Sequence, residues 1–169
     1  MIEKAKDGEF NPFYGTYVSK VSEGDVLAFL QQQADEIPAW LRSIADKADY
    51  RYGPDKWTLS EVLHHCCDTE RIFSYRALCI ARGEKTALPG MDQDVYMAEA
   101  RTDERSYESL VSEFEAIRSA TMALAYSLST EVLGNEGNAS GSPVTVRGLL
   151  SIIAGHLAHH TEVIKERYL

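Results

Sequence analysis

Four stretches of this chain repeat apolar residues every three or four positions, and no stretch alternates convincingly with period two. That spacing lays a single apolar stripe along a helix and offers a strand no face to bury. The first stretch runs from Asp25, a residue suited to an N-cap, through Val26, Leu27, Leu30, Ala34, Ile37, Leu41 and Ile44. Pro38 marks the place where it would kink or split. The second begins at Thr58, where Thr58 and Glu61 form a capping-box pattern, and reaches Arg82 before Gly83 stops it. The third starts near Ser106 and carries Leu110, Phe114, Ile117, Thr121, Leu124 and Leu128. The fourth follows a glycine-rich loop at Gly134–Pro143 and runs from about Val144 to Tyr168. Four such helices predict an all-α fold, a four-helix bundle. The linker Gly83–Arg105 is too long for a tight turn. It has room for a short helix around Asp92–Ala100 and for a long crossover between the second and third helices. Residues 1–169 read as one domain, with roughly the first 20 residues as an irregular arm.

Charge narrows the function. With 17 Lys and Arg against 26 Asp and Glu, the net charge is −9. Such a surface repels phosphate backbones and anionic lipid, so neither nucleic acid nor membrane is an expected partner. No run of about 18 apolar residues is present to span a bilayer. The opening Met1-Ile2-Glu3-Lys4-Ala5-Lys6-Asp7 is charged and does not read as a signal peptide. Cys66, Cys67 and Cys79 are an odd number crowded together, a poor disulfide framework. Free thiols in a reducing compartment are expected, and so a cytoplasmic protein.

All five histidines fall in two clusters, His64-His65 and His156/His159/His160. A helix turns about 100° per residue, which converts position into direction. On the fourth stretch His160 lies within roughly 20° of the apolar centre, His156 roughly 60° from it and His159 roughly 120° away. On the second, His65 lies roughly 60° from the buried centre and His64 roughly 160° away. Three rings therefore point inward and two outward. His156 and His160, at i and i+4, stack one turn apart and can converge on one ion. A third imidazole from a facing helix would complete an open three-nitrogen site of the kind that keeps positions for water or substrate. The competing reading is a bundle seam in which the rings are hydrogen-bonded without metal. Three imidazoles buried together leave several polar nitrogens to satisfy, which one ion would answer.

The stretch Trp57-Thr58-Leu59-Ser60-Glu61-Val62-Leu63-His64-His65-Cys66-Cys67-Asp68-Thr69-Glu70-Arg71 resembles the second helix of the DinB-like superfamily, with its Trp-Ser/Thr-x-x-Glu-x-x-x-His-x-x-Asp-x-Glu-Arg pattern. Gly155-His156-Leu157-Ala158-His159-His160 resembles its fourth helix, and Leu88-Pro89-Gly90-Met91-Asp92 a segment of its linker. The resemblance implies an up-down-down-up bundle and one divalent metal on His65, His156 and His160. Three imidazoles suit zinc or nickel first, with iron or manganese also possible ligand partners. The resemblance further implies a small-molecule substrate, with thiol S-transfer or hydrolysis as the activity, a low-molecular-weight thiol as one co-substrate, and a homodimer. The alternative is a non-catalytic stress-response or binding module with a structural or vestigial metal site.

Around these residues, Cys66 reads as core, with a fourth ligand or reactive thiol as its other role. Asp68 reads as either an acceptor for a ligating ring or a surface ion pair. Glu70 and Arg71 read as inter-helix or surface pairs. Arg76 falls roughly 40° from the buried centre, where a charge needs a partner: a glutamate from another helix, or a bound anion. Trp40 and Trp57 read as packing residues.

Overall fold

Side-chain caps set the helix starts. Asp25 accepts from the Leu27 amide, Ser106 from Ser109 and Thr145 from Gly148. Thr58 and Glu61 form the full capping box. Each cap satisfies an amide that the first helical turn leaves without a carbonyl. The computed structural model describes residues 1–169. It contains a 3-10 turn at Pro12–Tyr14, then α1 (Gly15–Val18), α2 (Val26–Ser43), α3 (Leu59–Ala81) and α4 (Gln93–Glu99). These are followed by α5 (Tyr107–Ser127), β1 (Glu136–Ala139), β2 (Ser142–Thr145) and α6 (Val146–Arg167). The chain is mostly helical. α3 packs against both α5 and α6, and α2 packs against α5 and more lightly against α6. No helix is long and apolar enough to cross a membrane.

One buried network ties the four long helices together. Arg118 of α5 is 1% exposed and donates from Nε and Nη2 to the two Glu70 carboxylate oxygens of α3, each at 2.8 Å. Its Nη1 donates to Gln33 Oε1 of α2 at 2.9 Å and to the Leu30 carbonyl at 3.3 Å. Gln33 Nε2 in turn donates to the Ala154 carbonyl of α6 at 2.9 Å. A planar guanidinium with a fixed fork suits this role, because each bond holds only at one relative height of the helices. Apolar layers lie on either side, one including Leu30, Phe73, Ile80 and Leu149, the other Leu41, Leu63, Leu110 and Phe114.

Pro38 lies inside α2, and of the two outcomes named for it the split does not occur. The structure departs from the sequence reading in three places. The Gly134–Pro143 stretch is not simply a loop, because β1 and β2 pair antiparallel across it. Ser140 and Gly141 turn the hairpin with φ of 55° and 77°, the left-handed geometry of the tightest hairpin turns. Leu88 of the α3–α4 linker adds a parallel bridge to Ala139. The N-terminal arm holds ordered turns and is built into the core through Ile2, Ala5, Phe10, Val18 and Val21. Two glycines of α6 admit it: a Cβ on Gly148 would collide with the Glu9 carbonyl, and one on Gly155 with the Tyr17 carbonyl. Finally, His64 is buried rather than outward. Its Nδ1 lies 2.8 Å from Thr102 Oγ1, because the turn Thr102–Glu104 covers the far side of α3.

Candidate metal centre

α3 carries His65 to the level of one turn of α6, and that turn presents His156 and His160. His65 Nε2 lies 3.1 Å from His156 Nε2, which lies 3.2 Å from His160 Nε2. The three rings supply one nitrogen each, all within 4.8 Å of one another. Aromatic neighbours hold the rings in place. Trp57 stands 5.0 Å from His65 by ring centroids, and Tyr17 meets His156 edge-on at 5.2 Å. Thr69 Oγ1 is 3.4 Å from His65 Nδ1.

Protons alone do not satisfy this arrangement. An sp2 ring nitrogen has one in-plane direction, which carries either a hydrogen or a lone pair. His156 Nε2 faces two other nitrogens at hydrogen-bond distance, and it can satisfy only one of them. His160 Nδ1 is buried without a partner, so no bond outside the trio holds that ring in this orientation. A single cation accepts all three lone pairs at once. Two nitrogens on one zinc-like ion at 2.0–2.1 Å stand about 2.9–3.4 Å apart, which matches the His65–His156 and His156–His160 pairs. The donor set therefore fits one divalent transition metal.

Burial keeps the rings in the ligating, neutral form. Desolvation pushes His65 down to about 4 and His160 down to about 3, and it holds His156 well below the usual imidazole value. Neighbouring histidines add to the depression of His156 and His160. Each folded pKa lies under the unfolded value of about 6.5, so the unfolded chain binds more protons in between. The resulting stability is complete above about pH 6.5 and is lost as pH falls toward the folded values. Metal-free protein should therefore lose up to about 1.4 kcal/mol per pH unit per ring below pH 6.5. Urea midpoints measured between about pH 7 and 5, where most carboxylates stay ionised, check this. A flat midpoint across that window would contradict it.

The remaining candidates are not brought to the centre. His159 is half-buried beside Tyr17, 5.1 Å between ring centroids. Cys66 is buried in the apolar layer with Leu63 and Phe114, and burial pushes its thiol up, so it packs as core. Asp68 pairs with Arg71 at 3.6 Å on the bundle's flank. Arg71 also pairs with Glu113 of α5. Glu70 forms the buried inter-helix pair with Arg118, a residue that the apolar stripe of the third helix did not single out. Its signal is a lone arginine one position after Ile117 of the apolar stripe. Arg76 has no glutamate partner. Its Nη2 donates to the Pro89 carbonyl at 2.6 Å and to Ser140 Oγ at 3.1 Å.

Beside the centre lies a cavity of about 290 Å³, lined by His65 and His156 together with Tyr17, Thr69, Phe73 and Arg76 among others. Its size suits a small molecule. The fold has a counterpart in YfiT from Bacillus subtilis, described as a probable metal-dependent hydrolase with an unusual four-helix bundle topology. The two share 16% identity with a TM-score of 0.69, over 96% of this chain and 92% of that one, a likeness of fold. No curated protein matches the chain. The sequence profile of the DinB superfamily matches residues 29–164, and the chain belongs to that superfamily.

Proposed function

We propose that His65, His156 and His160 hold one divalent transition-metal ion and that the protein uses it to transform a small molecule, by hydrolysis or by transfer of an external thiol. The observation that carries this reading is the convergence of three neutral imidazole nitrogens, two of them from His65 and His156 on the wall of a small-molecule cavity. The description of YfiT as a probable metal-dependent hydrolase supports it, since the two chains share a fold. Zinc or nickel suits three imidazoles best, and iron or manganese is the next choice.

When bound, such an ion supplies Lewis acidity, which acidifies a water or thiol and polarises a substrate oxygen. The chain's own residues do the rest. His65 and His156 present their rings to the cavity, and Tyr17 and Trp57 lock the ring planes by packing. Phe73 and Ile72 give the cavity an apolar wall that limits water near the reacting atoms. A transferred thiol has to come from outside. Cys66 and Cys67 are buried in another layer with thiols pushed up by burial, and Cys79 does not line the cavity.

Protein stripped of metal and reloaded with zinc or nickel should hydrolyse small esters or amides, or displace halide from an activated aryl halide with a low-molecular-weight thiol, the halide and the thiol proton passing to solvent. The rate should track metal content and fall to background in His160→Ala. Turnover that survives stripping, or none with any pair in fully loaded protein, would overturn the proposal. The same reading takes the four long helices in an up-down-down-up path. Arg42 near the end of α2 meets Glu108 at the start of α5, and the Trp57 carbonyl just before α3 accepts from Tyr168 just after α6, contacts that support opposite directions for each pair.

A further inference from the structure

We infer that Arg76 is the anion anchor of the cavity, and that the substrate is a small oxyanion, a carboxylate or phosphate on a mainly apolar body, whose other end reaches His65 and His156. The reacting end of this inference rests on the proposed metal centre; the anchoring end does not.

Two arginines are buried in this bundle, and only one has a counter-charge. Arg118 holds Glu70 through both carboxylate oxygens. Arg76, 4% exposed, has no carboxylate against it; its contacts are the Pro89 carbonyl, Ser140 Oγ, the Phe73 ring face at 5.4 Å and the nearby Tyr14 hydroxyl. A buried guanidinium left to neutral acceptors is costly, and an acidic partner is what normally offsets that cost. Burial accordingly pulls Arg76 below its usual pKa, whereas Arg147, hydrogen-bonded to Glu9, is raised. The missing charge is on the ligand side, because Arg76 lines the same cavity as His65 and His156.

Position sets the shape of the ligand. Arg76 follows His65 by three turns on one face of α3, and Phe73 lies between the ends of the cavity. The Phe73 ring is 5.4 Å from the Arg76 guanidinium carbon and 6.5 Å from the His156 ring centroid. A molecule spanning both ends crosses one aromatic face, with Phe13, Tyr14 and Met91 beside it. At the charged end, Gln93 of α4 and Ser140 of the hairpin turn line the cavity with further polar groups. The crossover and the hairpin, which the metal centre does not need, thus build the anion end.

Calorimetric titration tests this with 3-phenylpropionate, phenyl phosphate and neutral 3-phenylpropionamide as probes. Each is run on wild-type protein, Arg76→Leu, Arg76→Lys and the metal-free variant His160→Ala. An acid should bind about ten- to a hundredfold more tightly than the amide, in His160→Ala as in the wild type. That preference should vanish in Arg76→Leu and be partly kept in Arg76→Lys, with metal content unchanged in both. Whichever acid binds more tightly identifies the oxyanion. If Arg76→Leu does not fold, the acid-over-amide preference in His160→Ala and its reduction in Arg76→Lys decide the matter. Equal binding of acid and amide, binding of neither, or a preference that disappears with the metal would overturn the anchor and leave the metal centre standing. A preference kept in a protein that never takes up metal would overturn the metal centre and leave the anchor.

Discussion

Replacing Arg118 with methionine should cost about 3–5 kcal/mol of stability, the penalty for leaving Glu70 charged and unpaired in the interior. For a chain of this size that is roughly 6–20 °C in melting temperature. It is also a large part of the roughly 5–15 kcal/mol that a domain has to lose. The effect should exceed that of any surface pair, such as Arg42 with Glu108 and Glu115, where solvent screens the exposed partners and little stability is gained. The substitution removes four hydrogen bonds at once, and with them the link from α5 to α3 and α2. Pairing it with Glu70→Leu should recover much of the loss, since an apolar pair of similar volume avoids the buried charge. Urea denaturation of the two single variants and the double variant measures this. A double variant as unstable as the sum of the singles would show that the carboxylate's burial is not the source of the cost.

The second large effect is expected from metal. Adding zinc or nickel to metal-free protein should stabilise it by about 4 kcal/mol once free metal exceeds the dissociation constant a thousandfold. An ion that binds the native state and not the unfolded chain shifts the equilibrium by mass action, and three rings already neutral and convergent need little rearrangement to receive it. His160→Ala should remove most of the shift. Identical melting of metal-free and metal-loaded wild type would count against the site.

The helix starts were legible because a cap is local. Asp25, Thr58 with Glu61, and Ser106 all cap as their residue types predict. The inward set of histidines was legible because His156 and His160 share a face of α6 with the apolar stripe. What failed to show was the product of contacts distant in sequence. His64 looked outward on its own helix, but Thr102, 38 residues on, covers it. The hairpin Glu136–Thr145 carries Gly, Asn and Pro in place of β-formers and is held by Leu88 and by close approach of Gly137 to Ile80. The N-terminal arm depends on Gly148 and Gly155, whose missing side chains mean nothing until the arm lies on them. The position of Arg76 on its helix marks it as a charge in need of a partner, but only the fold reveals that no helix supplies one.

The most direct test of the metal centre is elemental analysis of untagged protein, equilibrated with zinc or nickel and then freed of loosely held ions. The expected result is one equivalent per folded chain in the wild type and none in His65→Ala, His156→Ala or His160→Ala, with His64→Ala and His159→Ala unchanged. Wild-type protein that retains no metal, or triad variants that retain it in full, would contradict the centre formed by His65, His156 and His160.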